Sequence, residues 1–302
     1  MIKVNGHIVN VNKFPDGTQC LLKFNEHLFD NDGTITTPYY EIVWTYENDE
    51  ELFTLLCVTE HIREYCVYGS NSVINLVMPY VANARMDRTY STSEIFTLKH
   101  FAKFINNLKF NKVGVFDPHS NVTIALINRV ITMDDVLEDC VKTALLSIGD
   151  DFHVYDFNWK DTVIYFPDEG AYKRYSKLAE VKMRKVLFGK KVRDWETGQI
   201  LGLEIYNDKG EKATEDDVKD KNILMIDDII AYGGTLAYGA DKLKELGANK
   251  IYAYASHTEN SILDQEKGTL LKRIDHGIVE KLFTTNSIFN GKHRNIEIVY
   301  DF

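Results

Sequence analysis

The sequence predicts an α/β protein built as two similar halves, each a parallel sheet flanked by helices. Three observations carry that prediction. Apolar runs of strand length alternate with segments of helical spacing along most of the 302 residues, as in βαβ units covered on both faces. Residues 97–119 align without a gap on 235–257, with Thr97/Thr235, Leu98/Leu236, Ala102/Ala240, Leu108/Leu246, Asn111/Asn249, Lys112/Lys250 and His119/His257 identical, so the halves read as duplicated copies. Finally, Ile223–Thr235 reads as a buried strand that runs into two adjacent acids and a Gly-Gly-Thr turn before a helix. Open α/β sheets bind ligands at that carboxyl end.

The elements follow in order. In the first half Glu41–Val43, Val73–Met78 and Lys112–Phe116 have the apolar character of strands. Glu50–Cys66 and Thr92–Leu108 have helical spacing, the latter with Ile95, Leu98, Phe101, Ala102 and Ile105 on one face. Met133–Gly149 is expected to be a helix joining the halves, with domains 1–143 and 144–302, a size each that can bury its own core. In the second half Asp161–Phe166, Lys185–Leu187, Ile223–Ile226 and Ile251–Ala255 read as strands. Gly170–Glu180 and Thr235–Leu246 read as helices, and Asn207–Lys221 as a polar surface connection with a turn at Asp208-Lys209-Gly210.

Composition removes several function classes. A formal net charge of −10 provides no basic face for general nucleic-acid binding, yet allows a small phosphorylated ligand held by a few local cations. No apolar run reaches the length of a membrane span, and the N-terminus lacks the basic-then-apolar pattern of a secretory signal. Cys20, Cys57, Cys66 and Cys140 match no zinc spacing. The expectation is a reduced cytoplasmic protein with neither nucleic-acid nor membrane partners.

The chemistry concentrates at Asp227, Asp228, Ala231, Tyr232, Gly233, Gly234 and Thr235. Paired carboxylates suit the hydroxyls of a sugar. A Gly-Gly turn lets backbone N–H groups approach an anion at a helix N-terminus, where negative charge is favoured. A ribose phosphate carries both features. The stretch is no Walker A loop, because no Gly-Lys-Ser/Thr follows, and it lacks the Gly-x-Gly-x-x-Gly dinucleotide spacing.

The strand, paired acids and Gly-Gly-Thr resemble the ribose-phosphate motif of type I phosphoribosyltransferases. Duplicated halves with that motif only in the second resemble the ribose-phosphate pyrophosphokinase family, and five further segments match it in order. Lys13-Phe14-Pro15-Asp16-Gly17 is similar to the family's Phe-Ser-Asp-Gly-Glu, and Met78-Pro79-Tyr80 with Ala84-Arg85-Met86-Asp87-Arg88 to its Ile-Pro-Tyr and Ala-Arg-Gln-Asp-Arg. Phe116-Asp117-Pro118-His119-Ser120 is similar to Asp-Leu-His-Ala, Phe166-Pro167-Asp168-Glu169-Gly170 with Arg174 to Ser-Pro-Asp-Gly-Gly with a later Arg, and Ala253-Tyr254-Ala255-Ser256-His257 to Ala-Tyr-Ala-Thr-His.

The resemblance implies two phosphoribosyltransferase-like (Rossmann-like) domains and a diphosphoryl transfer from ATP to an anomeric hydroxyl, releasing AMP. It implies that Phe14, Asp16, Arg85, Asp87 and His119 bind ATP, the first two from a neighbouring subunit of a homo-oligomer, dimer or hexamer. It makes His119 and Asp168 ligands of Mg²⁺, and Lys191 and Arg193 the cations of a mobile loop that closes over the phosphates, with His119 a third catalytic candidate. Ordinary structural roles stay open beside these: a strand-end histidine, a helix N-cap at Asp168, a surface ion pair at Arg85 and Asp87, a solvated basic run at Lys190-Lys191 and Arg193.

Departures from the family point to the acceptor. The family's Asp-Thr before Gly-Gly-Thr is Ala231-Tyr232 in this chain, which removes groups that build a pocket for a terminal 5-phosphate. Tyr232 can stack on a base. The expected acceptor is therefore ADP-ribose, as for phage relatives that feed NAD regeneration, with ribose 5-phosphate the alternative. Thr18 and Met86 replace the family's Glu and Gln, which bears on adenine contacts. A phosphoribosyltransferase and a non-catalytic regulatory homologue are the more distant alternatives.

Overall fold

A computed structural model describes residues 1–20, 38–65, 72–150, 162–182, 184–193 and 200–302. The chain divides into two compact units, Met1–Asp134 with Phe302, and Asp135–Asp301; the join expected at 143/144 falls inside a helix. Cys66, expected to end a helix, and Asp161, expected to begin a strand, lie outside the described residues.

The first unit contains β1 (Ile2–Val4), β2 (His7–Ile8), β3 (Asn12–Lys13), β4 (Gln19–Cys20), β5 (Tyr39–Trp44), α1 (Glu51–Tyr65), β6 (Val73–Met78), α2 (Thr97–Asn107), β7 (Lys112–Val115), α3 (Asn121–Leu126) and β8 (Val130–Thr132). Its sheet runs β2-β1-β5-β6-β7-β8. β5 to β8 are parallel, and β1 and β2 add an antiparallel edge. Tyr40, Ile42 and Trp44 alternate into the core from β5. Leu98, Phe101, Ala102 and Ile105 of α2 close over it. This helix starts at Thr97, five residues later than the spacing suggested. Glu94 accepts the Tyr90 N–H, and Ser91-Thr92-Ser93 form a turn, so Ile95 is left exposed.

Helix α4 (Asp134–Asp150) leads to the second unit. There follow β9 (Val163–Phe166), α5 (Glu169–Tyr175), α6 (Ala179–Lys182), β10 (Val186–Arg193), β11 (Ile200–Asn207), α7 (Glu215–Val218), β12 (Ile223–Ile230), α8 (Gly234–Glu245), β13 (Ile251–Thr258), α9 (Thr269–Asp275), β14 (Lys281–Thr285) and β15 (Ile296–Tyr300). The seven strands run β11-β10-β9-β12-β13-β14-β15, parallel except for β11, which pairs antiparallel with β10. All residues of β9 and β13 are buried, as expected for inner strands covered on both faces. The helix expected over 170–180 is two short ones, α5 and α6, because the chain turns after Tyr175. The polar connection expected over 207–221 instead starts at the end of β11 and holds α7, whose Thr214 and Asp217 form a capping box.

The two aligned segments share one backbone feature. Lys109 and Gly247, matched in the internal alignment, both follow their helix in the left-handed region, with φ of 51° and 88°. The matched histidines do not correspond: β7 stops at Val115 before His119, whereas β13 continues through His257, which is buried with Nδ1 2.8 Å from the Ser287 hydroxyl.

Candidate functional site

In the first unit the residues expected around the nucleotide lie on two loops at the carboxyl ends of parallel strands. The loop after β6 carries Arg85 and Asp87, and the one after β7 carries His119. Asp117, at the exit of β7, is buried and held at φ 35°, a conformation a non-glycine residue adopts only when its surroundings impose it. Asp87 accepts two hydrogen bonds from Arg88, at 2.8 and 3.1 Å. These hold its carboxyl below the usual range; burial opposes them, while Ser120 and His119 act in the same direction as Arg88. The first unit thus gathers Asp87, Arg88, Ser120 and His119. The ion-pair partner of Asp87 is Arg88, which the sequence reading passed over although it closes the same Ala-Arg-Met-Asp-Arg segment. Arg85 is exposed beside them.

Phe14 and Asp16 sit on the turn between β3 and β4. Phe14 is exposed and its carbonyl accepts the Gly17 N–H. Asp16 accepts both the N–H and the hydroxyl of Thr18, which lower its pKa. The turn thus presents Phe14 to solvent.

In the second unit the acids lie inside β12, not beyond it. The pairing with β13 continues through Asp227↔Ala255 to Ile230↔Thr258. The two carboxylates remain close enough to act on each other. Asp228 is buried and pairs with Arg174 of α5 at 3.2 Å. Asp227 is pushed well above the usual carboxylate range, first by burial, then by the charge of Asp228, with a contribution from Asp168. Its Oδ1 accepts the Asp228 N–H at 2.9 Å.

Asp168, expected as a metal ligand, caps α5: its Oδ1 accepts the Ala171 N–H at 2.9 Å. Capping occupies one oxygen, and the electrostatic reach to Asp227 keeps the acid in the cluster. Above the acids Gly233 takes φ 78° and opens α8. A Cβ there would stand 2.3 Å from Leu270 Cβ, so only glycine fits. The Tyr232 carbonyl accepts from the Thr269 and Leu270 N–H groups and the Thr269 hydroxyl, at 2.9, 3.2 and 2.8 Å. These bonds tie the turn to α9. Ala231 lies between strand and turn, and the partly exposed Tyr232 ring has Lys267 Nζ 5.9 Å from its centre. Gly234 and Thr235 form the first turn of α8, whose N–H groups and dipole favour an anion.

Lys191 and Arg193, expected on a mobile loop, belong to the end of β10, paired with Leu203 and Ile200 of β11. Antiparallel pairing continues a hairpin up to residue 193, and residues 194–199 lie outside the described residues.

No family model matches the chain. Curated relatives do. The sequence is 29% identical over 248 residues to ribose-phosphate pyrophosphokinase 2 of Enterococcus faecalis, covering 82% of this chain and 68% of that one. It is 24% identical over 275 residues to the ribose-phosphate pyrophosphokinase of Sulfurisphaera tokodaii (91% and 82%), and 27% over 250 residues to that of Thermococcus kodakarensis (82% and 77%). Over most of its length the chain is thus similar to ribose-phosphate pyrophosphokinases. The fold agrees: phosphoribosylpyrophosphate synthetase from Mycobacterium smegmatis superposes over 97% of this chain and 85% of its own, with a TM-score of 0.65 at 19% identity. Arg174 and Arg88, which pair with Asp228 and Asp87, and Tyr165, on which Asp168 and Asp227 act, are residues that the motif reading did not rank as candidates. Arg174 and Arg88 stood inside quoted motifs. Tyr165 carried no signal, because only packing brings it to the acids.

Proposed function

We propose that the protein transfers the β,γ-diphosphoryl group of ATP to the anomeric hydroxyl of ribose 5-phosphate, releasing AMP. The observation that carries this reading is the second unit's pairing of sugar-hydroxyl acceptors with a phosphate cradle: Asp227 and Asp228 in β12, followed by Gly233–Thr235 at the start of α8. The relatives' names favour ribose phosphate as the acceptor over the ADP-ribose that Ala231 and Tyr232 suggested.

The roles follow from the chemistry. The backbone N–H groups of Gly233 to Thr235 bind the 5-phosphate, and the acids hold the ribose hydroxyls, orienting the anomeric oxygen toward the β-phosphorus. The bond from that oxygen to phosphorus forms as the bond to the AMP oxygen breaks. Such transfers are catalysed mainly by positioning and by neutralising charge on phosphoryl oxygens. Arg85, Arg88, Lys191 and Arg193 are the cations available for the triphosphate. Phe14 and Asp16 serve adenine.

Mg²⁺ fits the residues present. Among the described residues no three His, Cys, Asp or Glu converge as a ready-made cage, and Mg²⁺ characteristically takes one or two carboxylates and completes its shell with water and phosphate. The crowding that raises Asp227 would be relieved by a nearby cation. Asp168 would hold it in the second unit and His119, with Asp87 close by, in the first. The ion would neutralise phosphoryl oxygens.

A specific observation keeps ADP-ribose as a second reading: Tyr232, next to Gly233, is exposed with Lys267 Nζ 5.9 Å from its ring, a face on which the base of a larger acceptor could stack. Purified protein with ATP and Mg²⁺ is expected to release AMP with ribose 5-phosphate. AMP release with ADP-ribose alone would overturn the first acceptor in favour of the second, and release with neither would refute the pyrophosphokinase reading.

A further inference from the structure

Tyr165 is a central residue of β9, fully buried, and its hydroxyl meets no hydrogen-bond partner among the described residues. Buried hydroxyls are nearly always satisfied, and an exception calls for an explanation. Two glycines make room for this one. A Cβ on Gly239 of α8 would lie 2.8 Å from both the Tyr165 hydroxyl and Cε1, and a Cβ on Gly189 of β10 would lie 2.5 Å from the same hydroxyl. Glycine inside a helix or strand costs stability relative to alanine. Three locally unfavourable choices thus converge on placing one phenol oxygen.

Its position is set by register. Tyr165 pairs with Met225, so Asp227, two residues further along β12, shares its face of the sheet. Asp168 lies three residues beyond Tyr165 on its own chain. These two acids are the charged groups that act on the Tyr165 hydroxyl, after burial itself.

We propose that Tyr165 is a positioning residue of the acceptor site: its hydroxyl donates a hydrogen bond to the Asp227 carboxylate when that acid engages the sugar. This rests on the assignment of Asp227 to the sugar. A phenol is a donor of fixed reach, buried between β10 and α8, so it can hold the carboxylate in one orientation without competing for the cradle.

Tyr165→Phe removes only the oxygen. With ATP, Mg²⁺ and ribose 5-phosphate, kcat/KM for the sugar should fall about ten- to a hundredfold, the size of one hydrogen bond to a charged group. KM for ATP should be unchanged, and the melting temperature should stay level or rise, since an unsatisfied buried hydroxyl has gone. A merely structural role would lower stability and spare the sugar KM. An active wild type with a variant within twofold in kcat/KM overturns this inference alone; a wild type that releases no AMP with either ribose 5-phosphate or ADP-ribose overturns the reading beneath it. Should Tyr165→Phe not fold, Gly239→Ala, which pushes on the same ring, carries the same expected loss, and unchanged sugar kinetics there overturn the inference equally.

Discussion

Replacing Gly233 by alanine tests the cradle at its most constrained point, and replacing Gly234 is the internal control. Gly233 stands at φ 78° with its absent Cβ 2.3 Å from Leu270 Cβ. A left-handed alanine costs about 1–2 kcal/mol, and forcing a methyl into a packed side chain adds about 1–3 kcal/mol. The sum is about 2–5 kcal/mol, or a melting temperature lower by roughly 4–20 °C for a unit of this size. At Gly234 the nearest atom to a Cβ is the Thr269 hydroxyl at 3.7 Å, and the backbone is helical. Alanine there fits and gains up to about 1 kcal/mol of helix propensity. Thermal and urea unfolding of the two variants should therefore move in opposite directions. Because the Gly233 methyl pushes the turn away from Leu270, KM for the sugar phosphate should rise about tenfold or more, the loss of one charge-assisted hydrogen bond. Equal stability and equal KM in the two variants would refute the close approach of the turn to α9.

Three further outcomes follow from the same geometry. Asp227 is raised above the usual carboxylate range, so the folded chain holds a proton there that the unfolded chain releases. Its contribution is intact below the ordinary carboxylate pKa and is lost as pH rises through the shifted one. Asp227→Asn removes that loss, so its stability relative to wild type should grow from about pH 4 upward; parallel stability curves across that range would contradict the crowding of the acids. Asp168→Ser keeps an N-cap while Asp168→Ala loses about 1 kcal/mol of it. Both should lose AMP formation equally if the acid serves the reaction, whereas activity tracking stability would reduce Asp168 to a cap. Lys191→Ala with Arg193→Ala should abolish AMP release without changing the circular dichroism spectrum; full activity would remove the end of β10 from the phosphate clamp.

Local pattern made much of this legible in the sequence. The apolar run Ile223–Ile226, the glycines at 233 and 234 and the helical spacing of Leu236, Ala240 and Leu243 are properties of neighbouring residues, and they suffice to place a strand, a turn and a helix N-terminus. The same holds for the repeat, whose register survives in the left-handed Lys109 and Gly247. Where signals were weak the reading slipped. The apolar run ends at Ile226, yet pairing with β13 carries β12 through the acids to Ile230. Among the described residues β1 to β4, β8, β11, β14 and β15 have no counterpart in the sequence reading.

The α/β class and the strand-turn-helix that holds Gly233 and Gly234 were legible in the sequence, since hydrophobic period and glycine placement are written along the chain. The tertiary structure settled that Arg174 of α5 pairs with Asp228 of β12. It alone brought the Tyr165 hydroxyl against Gly189 and Gly239. Partners of this kind are chosen by how helices pack across a sheet, a through-space relation that spacing along the chain does not encode.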